Sequence, residues 1–192
     1  MVTDVTGRRY HGSLEAVVDS ARHGLRPIGC SAYEVAARTD GLLQALVAVP
    51  SVRIFQGVHP AGPGGPRIPH AVTSGRRLLL IESVAWPPGS YSTESNGHVL
   101  CDGTYIGQSV SQLVAAVRHW RRVLPRTHRV GALVVVHPAG GDPCSLPAAT
   151  AELAWTRAAD ATEVVGGRLL RRRQTVSRSS VEVLAAATRQ FG

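Results

Sequence analysis

Lysine is absent from this chain, and each of its 21 basic residues is arginine. Chemistry that needs a primary ammonium, such as a Schiff base, is therefore excluded. Cysteine is scarce: Cys30, Cys101 and Cys144 are odd in number, far apart and without CxxC spacing, which argues against a disulfide scaffold or a zinc knuckle. Aromatic residues make up only 5% of the chain. No stretch approaches the roughly eighteen uninterrupted apolar residues of a membrane span, and the first residues, MVTDVTGRRYHGSLEAVV, lack the apolar core of a signal peptide. These absences predict a reduced, soluble, cytoplasmic protein with no membrane partner.

What is present is a 192-residue chain with 44% apolar residues, long enough for one sizeable core and too short for two ordinary domains. The formal net charge of +8 favours acidic partners, with nucleic acid ahead of anionic membrane. Guanidinium presents a planar fork that matches phosphate oxygens. Compositional drift in a GC-rich genome, which the abundance of Ala, Val and Gly also suggests, produces the same arginine excess.

Along the chain, Ser13 precedes Leu14, Val17, Val18 and Ala21 and predicts a short helix closed by Gly24 to Pro27. Residues 1–29 are taken as a helical extension and 30–192 as the main domain. Ser31 opens a long helix carrying Glu34, with Gly41 interrupting and Pro50 ending it. Val52, Ile54 and Phe55 predict a strand before a Gly/Pro loop. Ile68–Thr73 and Leu78–Ser83 then form apolar runs separated by Ser74-Gly75-Arg76, the mark of an antiparallel hairpin. Trp86 to Tyr91 is a proline-rich loop, and a small hairpin turns at Asp102-Gly103. Val110, Leu113, Val114, Val117 and Leu124 recur at helical spacing. Ala132–Val136 reads as a central strand and Glu152–Arg157 as a half-buried edge strand. Asp160 and Glu163 have capping-box spacing before a helix that Gly166-Gly167 disfavours, and a last helix covers Ser180 to Arg189. This order predicts an α/β fold with a mixed sheet.

The chemistry concentrates at the first hairpin, whose second strand ends Ile81-Glu82-Ser83-Val84. Nucleases of the PD-(D/E)xK class place an Asp on one strand and acid-x-Lys on the next. Residues two apart on a strand share a face, so the acid and the Lys point together at a Mg²⁺ held by two carboxylates. Ser74, Ser83 and His98 supply the residue types of a hydrolase triad, but no GxSxG elbow presents a nucleophile.

From Ala32 to Pro138 the sequence resembles the NERD (nuclease-related) family of the restriction-endonuclease-like superfamily. Glu34 takes the place of the family's helix Glu, Pro69-His70 that of its Asp-His pair, and Glu82-Ser83-Val84 that of acid-x-Lys. Trp86 and Gly89 follow, and Gln112 lies on the later helix. The resemblance implies a restriction-endonuclease-like mixed central sheet flanked by helices, with Glu34, His70 and Glu82 at the catalytic place and Glu82 and His70 as metal ligands. Pro69 cannot ligate a metal and Val84 cannot donate a proton, so two of the three defining positions have lost their chemistry.

The expectation is thus a degenerate, catalytically inactive nuclease-related domain that binds nucleic acid or regulates a protein partner, with no resident cofactor. Arg118, Arg121, Arg122 and Arg126, near Arg129, and Arg171 and Arg172, near Arg168 and Arg173, are the candidate phosphate contacts. The alternatives are an active metal-dependent nuclease with substituted ligands, using Mg²⁺ or Mn²⁺ or, where Glu34 or Asp102 joins His70 and Glu82, a softer transition metal, and a protein-interaction module without nucleic acid.

Overall fold

The computed structural model describes residues 9–17, 24–59, 67–170 and 175–189. Strand β1 (Tyr10–Gly12) leads through a single 3-10 turn, Glu15–Val17, toward helix α1 (Ala32–Leu43). The expected N-terminal helix is reduced to that turn among the described residues; its remainder, 18–23, lies outside them. Residues 10–12, assigned by the sequence to a helical extension, instead pair in parallel with β2 (Val52–Val58). Ser31 caps α1 as its sequence predicts: its Oγ accepts the Glu34 N–H while the Glu34 carboxylate accepts the Ser31 N–H, a reciprocal capping box. Gly41 does not break α1, which tightens into a 3-10 turn over Gln44–Ala48.

Strands β3 (Ile68–Ser74) and β4 (Arg77–Trp86) form the expected hairpin. Its turn contains two residues, Gly75 and Arg76, and Gly75 takes a φ of 57°, a conformation that glycine adopts without strain. Strands β5 (Tyr91–Thr93), β6 (His98–Cys101) and β7 (Thr104–Ser109) form a separate antiparallel sheet. The turn at Asp102-Gly103 has φ of 50° and 79°, the positive pair that an Asp-Gly turn tolerates. Helix α2 (Ser111–Val123), strands β8 (Arg129–Pro138) and β9 (Leu153–Arg157), and helices α3 (Ala161–Leu169) and α4 (Arg178–Arg189) complete the described chain. Asp160 stands at the start of α3 without a side-chain capping bond, so the capping box expected there does not form.

The main sheet runs in the order β1-β2-β3-β4-β8-β9. It is antiparallel at β2-β3-β4 and parallel at β1-β2 and β4-β8-β9. The fold is mixed α/β. Strand β8 is buried on both faces, as its unbroken Ala132–Val136 run requires. Leu80, Val84, Val134 and Phe55 pack on one face with Leu113, Val117 and Trp120 of α2 and Leu184 of α4. Leu79, Ile81, Leu133 and Ile54 pack on the other with Leu43, Ala161, Val165 and Leu169, from the end of α1 and from α3. Each fully buried aliphatic side chain contributes ~1.5–3 kcal/mol of transfer free energy. The two faces together fix the hairpin rigidly at the middle of the sheet.

Candidate functional site

The hairpin register decides which side chains meet. His70 lies opposite Ile81 and Val72 opposite Leu79. Because successive strand residues alternate faces, His70 shares the α1/α3 face with Leu79 and Ile81, whereas Glu82 points to the α2/α4 face with Leu80 and Val84. The paired register ends at His70 and Ile81, one residue short of Pro69 and Glu82. Two of the three places that an acid, an acid and a Lys would fill, Glu82 and Val84, share one face; Pro69, at the third, has no side-chain ligand whichever way it faces.

Glu82 is largely withdrawn from water, and its Oε1 accepts the Ser83 N–H at 3.1 Å. Burial pushes its carboxyl up to about 8, with that one backbone bond opposing the shift. Pro69 offers no side-chain donor atom at all. No group of three or more His, Cys, Asp and Glu side chains able to hold a metal ion occurs among the described residues. The residues present therefore do not fit the Mg²⁺ centre that the resemblance implies, and the expected joint ligation by Glu82 and His70 is corrected by their opposite orientations.

The other proposed members are also engaged elsewhere. Glu34 is exposed and committed to the cap of α1, and its bonds from Ser31 hold its carboxyl below the usual range. Asp102, at the β6–β7 turn, accepts the Ser90 N–H at 2.9 Å. Ser83 donates to Thr39 at 2.8 Å, while His98 stacks on Tyr105 in the small sheet, so no triad forms. Trp86 is fully buried, stacks on Tyr91 at 4.3 Å and donates to Gln108 at 3.3 Å. Gln112 lies exposed in the first turn of α2.

His70 belongs to a cluster that the sequence did not single out. Its Nε2 lies 3.4 Å from Asp40 Oδ1, which also accepts the Gln56 side-chain amide at 2.7 Å. Burial alone would raise the Asp40 carboxyl, but the neighbouring His70, Gln56 and Gln44 side chains lower it overall. Desolvation, followed by the Asp40 charge, raises the Tyr10 hydroxyl. Asp40 and Gln56 open onto a groove of about 290 Å³ beside the Glu15–Val17 turn. Next to Asp40 on α1, Thr39 Oγ1 meets His137 Nε2 at 2.8 Å, and burial with the nearby Arg38 charge pushes His137 down to about 4. These groups line the inner surface of α1 as a buried polar seam. The signal for it was Thr39-Asp40 placed late on a helix whose buried stripe runs through Val35, Ala36 and Leu43.

The arginines separate by environment. Arg118 and Arg121 grip Glu152 at 3.3 and 2.8 Å, and Arg121 also donates twice to the Val130 carbonyl. Arg122, Arg126 and Arg129 are exposed and make no ion pair among the described residues. Arg171 and Arg172 lie outside the described residues. No helix among the described residues is long and apolar enough to cross a membrane. Comparison with protein-family models, with curated proteins and with solved structures found no match to this chain.

Proposed function

We propose that this chain is a nuclease-derived α/β domain that binds nucleic acid without cleaving it. The observation that carries the reading is that β4 presents Glu82 and Val84 on one face where an acid and a Lys would stand, while Pro69 on β3 offers no ligand atom and the Glu82 carboxyl is raised to about 8. A paired hairpin in the middle of a mixed sheet, with its second strand bearing a lone acid, is the arrangement that the NERD resemblance anticipates. The acid is the one carboxylate at the three places, and the burial that raises it opposes the ionised form that a divalent ion takes. Arg122, Arg126 and Arg129 supply solvent-facing guanidinium groups for phosphate.

The test is to incubate the purified protein with plasmid and single-stranded substrates in Mg²⁺ or Mn²⁺, beside Glu82→Ala, and to measure binding across a salt series. Salt-sensitive binding without cleavage supports the reading. Cleavage that disappears in Glu82→Ala replaces it with an active nuclease, and absence of both binding and cleavage replaces it with a protein-interaction module.

A further inference from the structure

Arg129 and Arg168, which the sequence separates by some forty residues, come to one end of the sheet, where β4 and β8 begin side by side. Arg77 and Arg129 are register partners, and the Arg129 N–H donates to the Arg76 carbonyl at 2.8 Å. The Arg77 guanidinium donates to the Arg168 carbonyl, which draws the C-terminal end of α3 to the same edge. His128 Nε2 lies 3.1 Å from Ser177 Oγ, which brings in the start of α4. Arg76, Arg122, Arg126, Arg129, Arg168 and Arg178 are all exposed and form no ion pair among the described residues. Glu152, close by at the start of β9, is already held by Arg118 and Arg121.

We infer that this pole is the docking surface for nucleic acid and that it takes the phosphate backbone of a duplex, an inference that rests on the binding function proposed above. Charge complementarity sets the partner's sign. The choice between duplex and single strand comes from what the pole lacks and how it is built. Single strands are held by stacking bases on aromatic faces, and the aromatic groups near the pole are unsuited to it. Trp120 is buried, Trp155 beside Arg118 and Arg121 is only partly exposed and packs on Trp86 at 5.4 Å, and His128 is half-buried with its ring nitrogens facing Pro125 O at 3.2 Å and Ser177 Oγ at 3.1 Å. The exposed Tyr33 and Tyr105 stand elsewhere, on α1 and β7.

The guanidinium groups are carried instead by rigid element ends. These are a hairpin turn, a strand start, the α2–β8 turn that carries Arg126, and the ends of helices packed on opposite faces of the sheet, α3 on one and α2 and α4 on the other. With layers packed roughly 10 Å apart on either side, the array is about 20 Å across, wider than the ~12 Å major groove and suited to phosphates on both strands. Contacts of this kind are insensitive to base sequence.

The deciding experiment measures fluorescence anisotropy with a labelled DNA duplex, a duplex RNA, an oligo-dT strand and phosphatidylserine vesicles. The proteins compared are the native chain, Arg126→Glu/Arg129→Glu and, as a control away from the pole, Arg38→Glu, each first shown to melt cooperatively. The expected result is duplex binding at least tenfold tighter than oligo-dT. The double variant should lose at least tenfold in affinity and its salt slope should fall by about 2, with Arg38→Glu close to native. The two duplexes establish whether helix form matters. Duplex binding that the double variant leaves unchanged overturns the assigned surface while the nucleic-acid reading stands. Oligo-dT bound as tightly as duplex overturns the duplex assignment. Binding to vesicles alone, or to none of the probes, overturns both.

Discussion

His70 and Glu82 stand on neighbouring strands of one hairpin and face opposite sides of the sheet, because His70 is opposite Ile81. The consequence is two unrelated chemistries: a His-Asp pair at the inner surface of α1, and a solitary carboxyl under α2 and α4.

The solitary carboxyl makes stability depend on pH. The folded value of about 8 lies above the ordinary 4.5, so below pH ~4.5 both folded and unfolded chains hold the proton and the contribution is intact. Between ~4.5 and ~8 the unfolded chain releases the proton while the folded chain keeps it, so stability falls with a slope of up to ~1.4 kcal/mol per pH unit and levels off above. Glu82→Gln should remove this decline and be the more stable protein at pH 8. Urea unfolding midpoints of the two proteins at pH 5, 6.5 and 8 check it; parallel pH profiles contradict it.

At Asp40 the sign reverses. Its lowered carboxyl contributes stability that is present above the ordinary Asp range and lost as pH falls through the folded value. Asp40→Asn should cost about 1–2 kcal/mol at neutral pH, within the range for hydrogen bonds to charged groups after discounting for its partial exposure. The deficit should shrink as the pH is taken down toward 3, where chemical denaturation compares the two proteins.

One residue of turn length separates the face found for His70 from the one a metal site would need. Had Ser74-Gly75-Arg76 formed a three-residue loop, His70 would share the face of Glu82; the two-residue Gly75-Arg76 turn sets Ser74 opposite Arg77 and reverses this. A Gly-Arg pair between apolar runs did carry that signal. The hairpin, the Asp102-Gly103 turn, α2, β8 and the edge strand β9 were legible because each is specified by local periodicity or turn chemistry. Strand β1 was not, since three residues hold their place only through pairing with β2. The arginine pole was not either, because it depends on contacts such as Arg77 with Arg168, 91 positions apart.

Glu34 caps helix α1 reciprocally with Ser31. Ser31→Ala should cost ~1 kcal/mol of stability, as loss of an N-cap hydroxyl does. Glu34→Gln, which can still accept from the Ser31 N–H, should melt close to the native chain. Neither should change nucleic-acid affinity. A large loss of affinity in Glu34→Gln with normal melting would return this residue to the functional site.

Glu152 restrains two guanidinium groups at the margin of the basic pole. Exposed ion pairs contribute ~0–1 kcal/mol, so Glu152→Gln should melt almost normally while binding duplex more tightly and with a steeper salt dependence. Unchanged affinity would place Arg118 and Arg121 outside the contact.

The proposed absence of a Glu82-dependent metal site is open to direct measurement by titrating Mn²⁺ into the native chain and Glu82→Ala at pH 7 and recording the free-ion electron paramagnetic resonance signal. Superimposable titrations, with no saturable site that depends on Glu82, are the predicted result. A stoichiometric Mn²⁺ site in the native chain that vanishes in Glu82→Ala would contradict the account.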